Sequence, residues 1–128
     1  MTRREFSGIR DLTMSGWIRA NLPDSKEGFM VSDLDFILYN YREKKCILLE
    51  IKTHSTKPKE WQQRMFQQLA KWIEKGVDSD WFFGGYHVVI FENNFFTDGK
   101  CWFDDREVSE EELKDLLSMK GKNSNSVG

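Results

Sequence analysis

Hydrophobic patterning places this 128-residue chain in the α/β class, with one central sheet flanked by helices. Two apolar runs rich in β-formers stand on either side of a polar turn, and stretches of helical spacing precede and follow them. A capping-box signature then opens a last helix. The expected order is α-β-β-α-β-β-α.

The first element spans residues 5–21. Phe6, Ile9, Thr13 and Trp17 recur at helical spacing with Ile18 alongside, which predicts an amphipathic helix that Gly8 and Gly16 weaken. Leu22-Pro23-Asp24 ends it, because proline cannot continue the pattern. Residues 29–39 read as a strand interrupted by Asp33 and Asp35, and residues 46–52 as a second. The polar stretch 40–45 joins them into an antiparallel hairpin. A helix follows over 59–75, lined by Trp61, Met65, Leu69 and Trp72 and widened by Phe66 and Ile73, with Gly76 as its stop. Residues 86–91 form a third strand and 101–103 a short fourth, reached through the turn 97–100. Ser109 and Glu112 cap the last helix, which runs to about Met119. Residues 1–120 are expected to form one domain, and the polar Gly/Ser-rich stretch 121–128 a disordered tail.

Composition narrows the function. Hydrophobic residues make up 39%, with five Trp and ten Phe, which excludes wholesale disorder. No apolar run approaches the roughly 20 residues that span a bilayer, so no membrane partner is expected. Arg3 and Arg4 are followed by no apolar h-region, so no signal peptide is expected and the protein should work in the cytoplasm, of a prokaryote or of a phage host. Cys46 and Cys101 fit neither zinc spacing nor a disulfide framework and read as small buried residues. Net charge is −2, which does not advertise nucleic-acid binding. The charge is nonetheless uneven. Residues 1–75 carry 14 basic against 10 acidic side chains, and residues 76–128 carry 5 against 11. Any polyanion should therefore meet the first part.

The chemistry lies in a conflict. Strands this apolar should be buried, yet they carry Asp35, Glu50 and Lys52. An unpaired buried charge costs several kcal/mol, so such residues belong at strand ends, sheet edges or functional sites. Alternation puts Glu50 and Lys52 on one face and Ile51 on the other. A hairpin turning near Arg42 and Glu43 pairs Asp35 with Glu50, Ile37 with Leu48 and Tyr39 with Cys46, which brings both carboxylates and the lysine together. Two carboxylates that close repel unless a cation lies between them, and Mg²⁺ or Mn²⁺ with oxygen ligands meets that need. Glu50-Ile51-Lys52 alone would read as a solvated strand face with a weak ion pair, the usual case for such a pair.

Asp35, a spacer of 14 residues and then Glu50-Ile51-Lys52 resemble the motif of the PD-(D/E)XK nucleases, the restriction-endonuclease-like superfamily. The resemblance covers residues 5–92. Its context matches as well: Asp opens a hydrophobic strand, E-x-K closes the next, and a helix follows. One departure is that no proline precedes the Asp. The resemblance implies a Mg²⁺-dependent nuclease in which Asp35, Glu50 and the backbone carbonyl of Ile51 hold the ion. Lys52 would position the attacking water or stabilise the transition state, leaving a 5′-phosphate and a 3′-hydroxyl. Asp33, two residues before Asp35, is an alternative motif aspartate or a second ligand.

Accessory roles are open at this level. Gln63 and Gln67 share a helix side and match the glutamine that reaches the metal-bound water or the phosphate in several branches of the family; plain helix surface is the competing reading. Glu5 could be an accessory ligand, as in archaeal Holliday junction resolvases. His54, Lys57 and Arg64 are candidates for nucleic-acid contact, although a plain loop role is the stronger reading for His54 and Lys57. Trp81, Trp102 and the phenylalanines suit a core, while Tyr41 and Trp81-Phe82-Phe83 would stack on bases if exposed. DNA is the expected partner, and cutting both strands would take a homodimer. A structure-selective or processing enzyme of repair, recombination or phage DNA metabolism is expected, a Holliday junction resolvase being its sharpest form. The alternatives are a non-catalytic binding module that keeps the fold, and a small α+β regulatory domain with Asp35 and Glu50 apart.

Overall fold

The computed structural model describes residues 3–119, with side chains from residue 12 onward. Glu5 as a side chain and the tail 121–128 lie outside the described residues. The chain divides into two compact units, Met1–Ser32 and Asp33–Gly128.

The first unit contains the expected helix, α1 (Arg3–Asn21). After Pro23 a single 3₁₀ turn covers Ser25–Glu27, closed by a capping box: Asp24 accepts from Lys26 N–H at 3.0 Å and Glu27 accepts from Asp24 N–H at 3.3 Å. Gly28, at φ +86°, ends the turn in the left-handed region that glycine enters freely. These local bonds compete with an extended chain. Residues 29–34 accordingly form no strand, and the strand expected from residue 29 starts only at Phe36.

The second unit is a mixed α/β fold. Its elements are β1 (Phe36–Asn40), β2 (Lys45–Lys52), α2 (Glu60–Gly76), β3 (Phe82–Phe91), β4 (Cys101–Phe103), β5 (Arg106–Glu107) and α3 (Glu110–Ser118). The five strands form one sheet in sequence order. β2 and β3 run parallel and every other pair antiparallel. A parallel pair needs a crossover, and α2 supplies it. The β1–β2 turn is set by Asn40, whose side-chain oxygen accepts the N–H groups of Arg42 and Glu43 at 3.1 and 2.9 Å.

Alternation divides the sheet into two working faces. Leu49, Val89, Phe91, Cys101 and Phe103 point to one side and pack with Val108 and with Leu113 of α3. Burying each such large side chain is worth about 1.5–3 kcal/mol. On the other face Phe66 of α2 stacks on Tyr86 of β3, ring centroids 5.3 Å apart. The stripe expected along α2 is only partly used: Phe66 is buried, while Trp72 is 58% exposed. Cys101 is buried and Cys46 half-buried.

Two differences from the sequence expectation have local causes. β3 begins at Phe82, four residues ahead of the expected start, because a bulge at Gly84 and Gly85 lets the pairing continue. β5 was not foreseen. It pairs with β4 across Asp104 and Asp105, both at positive φ (+49° and +70°), the geometry of a two-residue hairpin connection. Ser109 and Glu112 form the expected capping box of α3. Among the described residues no helix is long and apolar enough to cross a membrane.

Candidate metal centre

The β1–β2 register is the expected one: Ile37 lies opposite Leu48 and Tyr39 opposite Cys46. One step beyond Phe36↔Leu49 sets Asp35 across from Glu50. There the ladder is continued by a side chain, since Asp35 Oδ2 accepts the Ile51 N–H at 2.8 Å. The N–H and C=O of one strand residue leave on the same side, so the Ile51 carbonyl also faces the Asp35 side and not β3.

Glu50 is only 3% exposed. Its Oε2 lies 3.5 Å from Lys52 Nζ, and its Oε1 is buried with no hydrogen-bond partner. Burial raises its pKa above the ordinary carboxylate value, and the charge of Asp35 adds to the rise. Lys52 and the backbone N–H of Asp35 oppose it without cancelling it. A buried carboxylate with one orphan oxygen and a second acid beside it is short of positive charge, and a cation supplies that.

The donor set can be judged from its chemistry. No group of three or more His, Cys, Asp or Glu side chains comes together among the described residues. Two carboxylates and a carbonyl exclude a closed zinc-type cage. They match Mg²⁺, which keeps several waters and takes one or two carboxylates from the protein. Asp35, Glu50 and Ile51 therefore fit such an ion. Asp33 is exposed and lies in the stretch ahead of β1, so the strand alternation that would have put it on the face of Asp35 does not operate there.

The accessory candidates separate. Gln63 is half-buried on α2 and Gln67 exposed. Arg64 is exposed and pairs with Glu60 one turn back at 3.3 Å. His54 and Ser55 take left-handed backbone angles just after Lys52, and their N–H groups bond Asn93 O and Phe91 O, both at 2.9 Å. That loop is thus pinned to the end of β3, and Lys57 follows it, exposed. Trp81 is half-buried with one ring face stacked on Tyr39 at 4.9 Å, Phe83 is buried and Tyr41 is exposed. Trp102 is half-buried in β4.

Tyr86 was not singled out by sequence reasoning. Its hydroxyl, like Glu50 Oε1, is buried without a hydrogen-bond partner, and burial followed by the charge of Glu50 pushes its pKa up to about 12. The signal that could have found it is Gly84-Gly85 ahead of a strand, a bulge marker. Comparison with family models, curated proteins and solved structures gives no match.

Proposed function

We propose that this chain is a divalent-cation-dependent deoxyribonuclease of the restriction-endonuclease-like kind. The observation that carries the reading is Glu50: a carboxylate 3% exposed, with one oxygen unpartnered, aligned with Asp35 and flanked by Lys52. Its position supports the same reading, because Glu50 and Lys52 sit at the carboxyl end of β2 beside the parallel strand β3. In open α/β sheets ligands bind outside the carboxyl ends of the strands. The motif resemblance supplies the word nuclease; the residues themselves call for a divalent cation.

Asp35, Glu50 and the Ile51 carbonyl would hold Mg²⁺ or Mn²⁺. When bound, the ion lowers the pKa of the attacking water and offsets charge on the scissile phosphate. Lys52 places its Nζ 3.5 Å from Glu50 Oε2, where it would stabilise charge that develops on the phosphoryl oxygens. The Ile51 N–H fixes the orientation of Asp35. Products are a 5′-phosphate and a 3′-hydroxyl, and cleavage of both strands requires two copies of the chain.

The test is a cleavage assay on linear, nicked, flapped and four-way DNA with Mg²⁺, with EDTA, and with Lys52→Ala. Expected is cutting that needs the metal and falls at least 100-fold in the variant. Activity that survives both EDTA and the substitution refutes the mechanism. The four-way substrate decides between a junction resolvase and a more general processing enzyme.

A further inference from the structure

Two polar atoms on the α2 side of the sheet are buried without a hydrogen-bond partner, and they are chemically complementary. Glu50 Oε1, as a carboxylate oxygen, accepts; the Tyr86 hydroxyl donates. Having no partner, they are not bonded to each other. A small group that both donates and accepts can serve the two at once, and water is that group.

The backbone is built to bring Tyr86 to this place. Phe83 lies opposite Cys46 and Tyr86 opposite Leu48, so three steps along β3 match two along β2. Without the extra residue, Tyr86 would point to the opposite face with Leu49. With it, Tyr86, Val88 and Ile90 share the face of Leu48, Glu50 and Lys52. Glycine lowers the cost of the bulge at both positions. Gly85 has φ +94°, and a Cβ on Gly84 would stand 2.6 Å from Ile47 Cγ2. Phe66 stacks on the ring and fixes it. An off-register glycine pair, an aromatic clamp, and an unpartnered hydroxyl on the same sheet face as an unpartnered carboxylate oxygen of the neighbouring strand are costly to assemble for packing alone.

We propose that Tyr86 is a positioning residue of the Glu50 centre, whose hydroxyl donates a hydrogen bond to a water held between it and Glu50 and so fixes the molecule that attacks the phosphate. The proposal rests on the metal-centre reading above. Its pKa of about 12 keeps the phenol neutral and able to donate throughout the working range.

Tyr86→Phe keeps the ring and its stack and removes only the hydroxyl. Melting curves and Mn²⁺ calorimetry are run on the native protein, Tyr86→Phe and Glu50→Gln, with kcat and KM on the best DNA substrate. Expected for Tyr86→Phe is an unchanged or higher melting temperature with about tenfold weaker Mn²⁺ binding, or a kcat about 10–100-fold lower at unchanged KM. Glu50→Gln should lose measurable binding. Native Mn²⁺ affinity together with native kcat in Tyr86→Phe overturns the proposal and leaves the metal centre standing. So does a melting temperature lowered by several degrees, which assigns the hydroxyl to folding. A native protein that binds no Mn²⁺ overturns both.

Discussion

The backbone N–H of Ile51 donates to Asp35 Oδ2 across 2.8 Å, and this single bond ties the start of β1 to the middle of the E-x-K run. It gives Asp35 two separable duties. As an acceptor it extends the ladder past Phe36; as an anion it contributes charge beside Glu50. Asp35→Asn keeps an acceptor and removes the charge, whereas Asp35→Ala removes both. We expect Asn to hold stability within about 0.5 kcal/mol and Ala to cost about 1 kcal/mol, typical of one lost hydrogen bond. Both should weaken Mn²⁺ binding at least tenfold. Calorimetry showing native affinity in Asp35→Asn would rule out Asp35 as a ligand of the proposed ion.

A substitution at Glu50 is expected to do the opposite, abolishing the proposed cation binding while strengthening the fold. Burial, then Asp35, raise its pKa in the folded protein. A raised carboxyl pKa favours the native state fully below the unfolded value near 4.5, and the benefit is lost as pH rises through the folded value. At neutral pH the ionised group is therefore a burden. Glu50→Gln should raise stability by about 1–3 kcal/mol at pH 7, a shift of several degrees in Tm, with little gain at pH 4. Adding Mn²⁺ should stabilise the native protein and not the variant. A variant less stable than native at pH 7 contradicts this account.

How far the sequence reaches is visible in these same residues. The register that aligns Asp35 with Glu50 follows from alternation and a short turn, both local, so it was legible in advance. So were α2, β4 and the Ser109–Glu112 cap, each set within a few residues. The strand expected from residue 29 was not, because β-formers there signal only a preference, and Asp24 and Gly28 impose a turn just upstream. Tyr86 stayed hidden for a different reason. Its face depends on a bulge that exists only in the pairing with β2, and a glycine pair reveals the chance of a bulge without its phase.

On the opposite face a histidine should make stability depend on pH. His87 Nδ1 lies 2.6 Å from Asp104 Oδ2 and its Nε2 2.6 Å from the Gly84 carbonyl. Both partners accept, so the geometry calls for the doubly protonated ring. Burial pulls its pKa down, but the Asp104 bond and charge, with the Gly84 carbonyl, outweigh it and leave it raised above 6.5. The stabilisation is therefore complete below 6.5 and is lost as pH rises through the folded value. His87→Gln should cost more stability at pH 6 than at pH 9 in urea titrations. Equal costs at the two pH values would show that the ring is neutral throughout. Asp104 is half-exposed, so the charge contribution will be modest and will shrink with salt.

Gly84 offers a test of the bulge that does not depend on catalysis. A methyl at this position would stand 2.6 Å from Cγ2 of Ile47, which is only 4% exposed and has no room to retreat. Gly84→Ala should therefore destabilise by about 1–3 kcal/mol, the usual cost of overpacking a tight core. If the clash is the cause, trimming Ile47 must relieve it. Ile47→Ala alone loses about 2–5 kcal/mol through its cavity, and the added methyl of Gly84→Ala then enters vacated space. The double variant should consequently be more stable than the sum of the single losses by at least 1 kcal/mol. Strict additivity in denaturant melts would mean that the close approach to Ile47 is not the cause of the loss.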